Sequence, residues 1–143
     1  MRDVPPSDYN RRVIEEFRAN SGRVAAFEGA TLLLLTTIGA KTRRVHTTPL
    51  VYLPDGEALV VFGTKGGAPT NPDWYHNLRA NPTATVEVGD DRFEVRARIA
   101  AGEERERLFA RQKSLRPQFA EYEAKSGRAI PVVVLERTSF RQV

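Results

Sequence analysis

The sequence predicts an α+β domain in which six short strands form an antiparallel sheet that curls into a barrel. The 143-residue chain has 41% hydrophobic and 28% charged residues, a composition that fits one globular domain with a single core. Apolar runs of strand length recur along it. Most links between these runs are of hairpin length, which favours antiparallel pairing over a doubly wound parallel sheet. We therefore expect one domain over residues 1–143 with helices at its periphery.

The first segment, residues 1–28, is predicted to be helical and to lie outside the sheet. Ser7 is placed to cap a helix over residues 8–20. Four apolar residues follow the spacing of one helical face: Tyr9, Val13, Ile14 and Phe17. Such a basic amphipathic helix either packs on its own domain, which is the more common arrangement, or contacts an anionic membrane surface.

The six predicted strands differ in how many of their faces are apolar. They cover residues 31–38, 47–53, 58–62, 84–88, 93–99 and 130–135. The first is apolar and β-branched throughout, which is typical of a strand buried on both faces. Residues 93–99 alternate apolar and charged side chains, so we expect one face to meet the core and the other to meet water. Tight turns are predicted at residues 54–56 and 89–91.

Three more helices are predicted between and after these strands. Asn71 is expected to cap the first of them, with Pro72 at the first helical position, where its missing N–H costs nothing. This helix should stop near Asn81, which precedes a proline. The other two are expected over residues 103–113 and 117–125.

Several functional classes are disfavoured by composition and by missing motifs. The chain has no cysteine and two histidines, His46 and His76, so neither a disulfide nor a metal site is expected. The net charge of +4 suits anionic partners, but no nucleic-acid signature is found, and we expect no nucleic-acid partner. The stretch GAKT at residues 39–42 lacks the glycine spacing of a P-loop. No basic-then-apolar leader is seen, so a cytoplasmic protein is expected.

Two polar clusters remain as candidate binding elements. The basic turn, residues 39–46, is either a solvated hairpin or an anion clamp in which Lys41, Arg44 and His46 face a phosphate. The glycine turn, residues 64–67, is either a plain loop or a segment whose backbone N–H groups approach a ligand closely. In an antiparallel barrel these two turns could line one groove.

Three stretches of the chain resemble the deazaflavin-dependent nitroreductase family of actinobacteria. They are LLLLTTIGAKTRRVHTTPLVYL, TKGGAPTNPDWYHNLRANP and AIPVVVLER. The likeness runs from about residue 30 to residue 137, and its most specific part is the second stretch. The resemblance implies a six-stranded split β-barrel, related to the FMN-binding one, that uses coenzyme F-420, an 8-hydroxy-5-deazaflavin with a phosphodiester and an oligoglutamate tail.

The same resemblance implies an activity and a set of site residues. Hydride would pass from the reduced coenzyme to a quinone, an activated enone or a nitroaromatic acceptor. The phosphate would be held by Ala40, Lys41, Thr42, Arg44 and His46, and the ring flanked by Pro49, Leu50 and Val51. Main-chain contacts would come from Gly63, Thr64, Lys65 and Gly66, and the pocket would be closed by Trp74, Tyr75 and Asn77. Arg11 and Arg12 are candidate partners of the glutamate tail.

The sequence departs from the family pattern near the expected acceptor. Where the family has tyrosines over its substrate, the chain has Val51, Arg116 and Phe119, and it retains only Tyr122. Phe119 and Tyr122 are thus the candidate catalytic residues, and a quinone is favoured over bulky nitroimidazoles. Two alternatives stay open: a split-barrel reductase that uses FMN, and a carrier that binds the deazaflavin without turnover. The oligomeric state is open as well.

Overall fold

The computed structural model describes residues 6–138 and contains four α-helices and seven strands in this range. The helices are α1 (Asp8–Ala19), α2 (Asp73–Ala80), α3 (Gly102–Leu115) and α4 (Gln118–Ser126). The strands are β1 (Leu32–Ile38), β2 (Val45–Val51), β3 (Leu53–Asp55), β4 (Ala58–Phe62), β5 (Thr83–Val88), β6 (Asp91–Ile99) and β7 (Val132–Arg137). Residues 1–5 and 139–143, which the predicted domain included, lie outside the described residues.

All strands belong to one antiparallel sheet in the order β2-β1-β5-β6-β7-β4-β3. The two edge strands, β2 and β3, are separated in sequence by Tyr52 alone. In a flat sheet these edges would stand about 29 Å apart, at about 4.8 Å per strand interval. Two residue steps span at most about 7 Å. The sheet must therefore curl until its two edges approach each other, which confirms the predicted α+β class and the curled antiparallel sheet.

The predicted count of six strands is wrong by one, because the expected strand 47–53 is divided at Tyr52. There the chain leaves one edge of the sheet for the other. The Tyr52 N–H donates to the Thr31 carbonyl at 3.0 Å, and the Thr31 hydroxyl donates to the Tyr52 carbonyl. Burial raises the pKa of the Tyr52 phenol, which favours its protonated form.

The hairpin that follows turns two residues later than predicted. Asp55 pairs with Ala58, so Pro54 and Asp55 belong to β3, and Gly56 and Glu57 form the turn. Gly56 has φ +61°, a left-handed conformation that glycine adopts without a steric penalty.

Alternate residues of the central strands pack on opposite sides of the sheet. The inner cluster contains Leu33, Leu35, Leu59, Val61, Trp74, Leu78, Ala84, Val86, Val95, Val133 and Leu135. On the outer side, Val13, Ile14 and Phe17 of α1 pack against Leu32 and Leu34. Helices α3 and α4 cover the outer side of β4 and β7. β1 is thus buried on both faces, as predicted. Three of the four predicted apolar residues of α1 pack on its own domain, whereas Tyr9 is 54% exposed.

Both candidate turns leave the same end of the sheet. Thr36 near the end of β1 pairs with Thr85 near the start of β5. Phe62 at the end of β4 pairs with Val132 at the start of β7. Helix α2 lies at this end too, where Trp74 and Leu78 join the inner cluster.

Over residues 6–138, none of the helices combines the length and apolar character that crossing a membrane requires.

Candidate functional site

An open groove lies between the basic turn and the first turns of α2. Its volume is about 460 Å³, and it is lined by Gly39, Ala40, Lys41, Thr42, His46, Asp73, His76 and Asn77. A smaller cavity of about 120 Å³ adjoins it, shares His46, Asp73 and Asn77, and extends to Asn10 of α1. The structure thus brings together four of the five residues predicted to hold a phosphate, and Asn77 with them.

The basic turn is closed by hydrogen bonds of its own backbone. The Gly39 N–H donates to the Arg44 carbonyl at 2.7 Å, and the Arg43 N–H donates to the Gly39 carbonyl at 3.0 Å. The Thr42 hydroxyl accepts the Arg44 N–H at 3.1 Å and lies 3.3 Å from His46 Nε2. The N–H groups of Lys41 and Thr42 have no acceptor among residues 6–138. This turn therefore presents two adjacent free donors.

The cations of the basic turn have no carboxylate partner in the described part of the chain. Lys41, Arg43 and Arg44 are all exposed, and none forms an ion pair there. Positive side chains and free backbone N–H groups are the donors that bind phosphate in proteins. Asp73, on the opposite wall, is the acidic residue of the groove. The arrangement can therefore bind an anion.

Asn77 connects α2 to this turn. Its side chain is 5% exposed. The amide oxygen accepts the Ala40 N–H at 2.9 Å, and the amide nitrogen donates to the Thr37 hydroxyl at 3.1 Å. Because both ends of the amide are engaged, Asn77 fixes the position of the turn as well as lining the groove.

Besides Asn77, two aromatic residues of α2 were predicted to close the pocket, and they lie beside the groove or against the core. Trp74 is 5% exposed in the inner cluster and also lines the smaller cavity. Tyr75 is half-buried against the inner cluster, with its ring centroid 5.5 Å from that of His76.

Of the arginines proposed for the glutamate tail, Arg11 is paired with Asp8 and Glu15.

The glycine turn packs against α4 and is not among the residues that line the groove. Lys65–Gly67 forms a short 3-10 helix that was not predicted. Its φ values are +49° at Lys65, +63° at Gly66 and +88° at Gly67. Gly63 precedes it and donates its N–H to the Pro131 carbonyl at 2.9 Å. The N–H groups of Lys65 and Gly66 have no acceptor among residues 6–138.

Sequence reasoning missed Arg128, which binds the glycine turn and its flanks. Its guanidinium donates to the carbonyls of Gly63, Thr64 and Ala68 at 3.0–3.1 Å. It also donates to Asn71 Oδ1 at 2.6 Å. No local pattern could have revealed these partners, since they lie 57 to 65 positions away along the chain.

The predicted cap of α2 is therefore wrong. The helix begins at Asp73 with Pro72 in the cap position and no side-chain capping bond. The Asn71 side chain faces Arg128 instead. A charged donor makes a stronger hydrogen bond than a backbone N–H does, which explains this choice of partner.

The remaining predicted site residues lie away from the groove lining. On β2, Pro49, Leu50 and Val51 pair with β1; Leu50 packs toward the inner cluster and Val51 toward α1. Phe119 is 7% exposed and contacts Phe62 edge-to-face at 5.8 Å. The half-buried Tyr122 lies 5.3 Å from Phe119. The roles of these residues toward a ring or an acceptor stay predictions.

Comparisons with known proteins agree with the resemblance found in the sequence. The model of a family described as F420H(2)-dependent quinone reductase matches residues 9–137. An F420H(2)-dependent quinone reductase of Mycobacterium tuberculosis is 39% identical over 128 residues, which are 85% of each chain. The solved structure of an F420-H2-dependent reductase has a TM-score of 0.68 and 37% identity, over 74% of this chain and 94% of its own. A structure described as a domain-swapped dimer has a TM-score of 0.69 and 33% identity, over 92% of this chain and all of its own. The chain therefore belongs to the F420H(2)-dependent quinone reductase family.

Proposed function

We propose that this protein is an oxidoreductase that transfers a hydride from reduced coenzyme F-420 to a quinone. The family match and the M. tuberculosis relative support both the coenzyme and the acceptor class. They favour F-420 over FMN and a reductase over a non-catalytic carrier. We also propose that the curled sheet is a split barrel in which β2 and β3 act as one bent strand.

The observation that carries this proposal is the groove beside the basic turn. Lys41 and two free N–H groups meet there, and the exposed Arg43 and Arg44 lie on the same turn. This donor set fits the phosphodiester of the coenzyme. Lys41 and Arg44 would bind the phosphate oxygens, while Ala40, Thr42 and His46 would shape the turn around them. When bound, the coenzyme supplies a two-electron hydride donor.

The chain's own residues would then orient the reactants and exclude water. Pro49, Leu50 and Val51 are proposed to flank the ring. The main chain of Gly63, Thr64, Lys65 and Gly66 is proposed to lie against it, with Lys65 and Gly66 contacting it through their N–H groups. Trp74 and Tyr75 would close the pocket, because their rings already cover the end of the inner cluster.

A quinone takes up a proton as well as a hydride when it becomes a hydroquinone. The half-buried Tyr122 is our candidate to donate that proton from Oη, and Phe119 is our candidate to contact the acceptor. Tyr122→Phe should lower kcat for a quinone about 100-fold, a typical contribution of a positioned proton donor, and leave the Kd for the coenzyme unchanged.

Tyr9→Phe is the matched control for this variant, since Tyr9 is 54% exposed. Stopped-flow oxidation of the reduced coenzyme by menadione measures kcat in the three proteins. Equal kcat in Tyr122→Phe and in the unmodified protein would assign the proton to solvent.

The proposed function is tested directly by fluorescence titration with oxidised F-420, beside FMN and NADP. We expect saturable binding of F-420 alone. Lys41→Ala should weaken it by about tenfold to 100-fold, because a charged hydrogen bond contributes about 1.5–3 kcal/mol. Arg96→Ala removes the same charge from an exposed position of β6 and should leave the affinity unchanged. No binding at about 50 µM coenzyme, which means a binding free energy weaker than about −6 kcal/mol, would reject the assignment.

A further inference from the structure

We propose that Arg128 is a positioning residue that holds the glycine turn in the conformation that binds ligand. This inference rests on the proposed function, in which Lys65 and Gly66 contact the coenzyme through their N–H groups. Arg128 itself precedes β7 and is half-buried. It does not line the groove, so it would act through the turn.

Within the described range, the Arg128 side chain donates its hydrogen bonds to one segment, residues 63–71. Nη2 donates to the carbonyls of Gly63 and Thr64, at 3.0 and 3.1 Å. Nε donates to the Ala68 carbonyl at 3.1 Å, and Nη1 donates to Asn71 Oδ1 at 2.6 Å. The guanidinium thus ties together both flanks of the glycine turn. Lysine, with one nitrogen, cannot reproduce this fork.

Peptide planarity transmits this contact to the far side of the turn. In a trans peptide the C=O and N–H bonds point in opposite directions. Because the Thr64 carbonyl points toward Arg128, the N–H of Lys65 in the same peptide must point away from it. That N–H has no acceptor among residues 6–138. Arg128 therefore sets the direction of a free donor without touching what the donor binds.

The turn needs such support because its backbone is strained. Lys65 has φ +49°, a conformation that costs a non-glycine residue about 1 kcal/mol or more. Gly67 is also tightly packed: a Cβ there would lie 2.9 Å from Lys125 Cδ of α4. The hydrogen bonds of the turn itself are two, from Gly67 N–H to Thr64 O and from Ala68 N–H to Lys65 O.

The charge of Arg128 is also unbalanced. Every acceptor it reaches is a carbonyl or amide oxygen, and no carboxylate of residues 6–138 lies within 4.0 Å of it. A fixed positive charge behind the turn polarises the peptides in front of it and strengthens their donors toward an anionic or electron-rich ligand.

Hydrogen exchange and coenzyme titration on Arg128 variants test this inference. In Arg128→Lys, the amides of Gly67 and Ala68 should exchange about tenfold faster or more, and the Kd for oxidised F-420 should rise about tenfold. In Arg128→Ala, millimolar methylguanidinium should restore much of the affinity, while methylammonium should not. Arg105→Lys is the matched control, because Arg105 is a part-buried arginine that donates to the Ile130 carbonyl and not to the turn.

The possible results separate this inference from the proposed function. Unchanged exchange at Gly67 and Ala68 in a folded Arg128→Lys protein would overturn the positioning role. So would faster exchange together with a coenzyme Kd equal to that of the Arg105→Lys control. If Arg128→Ala does not fold, Arg128→Lys alone decides. If the unmodified protein fails to bind F-420, the proposed function fails, and exchange then reports only on the turn.

Discussion

At the scale of single residues, the groove depends on an amide that satisfies a donor and an acceptor on two different elements. Asn77 accepts from Ala40 and donates to Thr37 from a position on α2. A buried polar group stabilises a fold only while its partners are present. The Asn77 side chain therefore links the stability of the domain to the shape of its binding groove.

Asn77→Leu should lower the free energy of unfolding by about 1–3 kcal/mol, the cost of leaving the buried Thr37 hydroxyl without its partner. Urea denaturation measures this change. Ala80→Leu adds the same side chain at an exposed position of the same helix and should have little effect. A variant as stable as the unmodified protein would mean that water replaces the amide at both partners.

The residues of this site could be predicted from the sequence only where they lie close together along the chain. Lys41 and His46 belong to one short turn whose charge pattern is visible locally, whereas Thr42 of the same turn was indicated through the family resemblance. The Asn77 contacts span 37 and 40 positions, and the sequence indicated Asn77 only through the family resemblance. Arg128 had neither signal, because three of its four partners are backbone carbonyls, which any residue type supplies.

At the scale of elements, the basic turn keeps its shape because Gly39 leaves room for two side chains. A Cβ on Gly39 would lie 2.6 Å from His46 Nε2 and would also collide with the Thr42 hydroxyl. The turn would have to open to relieve this overlap. The groove therefore requires glycine for steric reasons and not for its backbone angles.

Gly39→Ala should weaken F-420 binding about tenfold or more by displacing the donors of Thr42 and Lys41. Gly66→Ala is an instructive comparison: its Cβ would meet open space, but its φ of +63° disfavours alanine. Titration of both variants shows whether collision or strain costs more affinity. Wild-type affinity in Gly39→Ala would place the coenzyme elsewhere.

Most elements were predicted to within a few residues, because periodicity reports burial on one or both faces. Three features could not be predicted from periodicity. The division of one strand into β2 and β3 depends on sheet closure, which pairs Leu53 with Val60 on the opposite edge. The first residues of α2 depend on Arg128, which attracts Asn71. The 3-10 helix at Lys65–Gly67 depends on its packing against α4. Each of these is a tertiary effect that a local pattern does not contain.

At the scale of the whole molecule, charged side chains tie α3 to the outer face of the sheet. Arg98 of β6 donates to Glu104 of α3 at 2.6 and 2.8 Å and to Glu136 of β7 at 3.2 Å. The bond from Arg98 lowers the pKa of the Glu104 carboxyl, and both carboxylates raise the pKa of the Arg98 guanidinium. The network joins α3 to the strand just before it, six positions away, and to β7, whose Glu136 lies 38 positions after Arg98.

Glu104→Gln should make stability less dependent on pH. A carboxyl whose pKa is lowered by folding stabilises the protein above its unfolded pKa of about 4.3, and this contribution disappears as pH falls through the folded value. The Tm difference between the two proteins should therefore be constant from about pH 5 to 8 and vanish in more acidic buffer. Calorimetry from about pH 2 to about pH 8 measures it, with Glu106→Gln as the exposed control on the same helix. A pH-independent difference would contradict the linkage.

The place of β7 in the sheet has a consequence for biosynthesis. β7 pairs with β6 on one side and β4 on the other, although it is the last of the described strands. A ribosome delivers the other six strands first, as two separate sheet fragments whose edge strands, β6 and β4, have no partner until β7 is made. Such edges are templates for aggregation. The nascent protein is thus most vulnerable just before residues 132–137 emerge, and we expect a chaperone dependence that ends when this strand joins the two fragments.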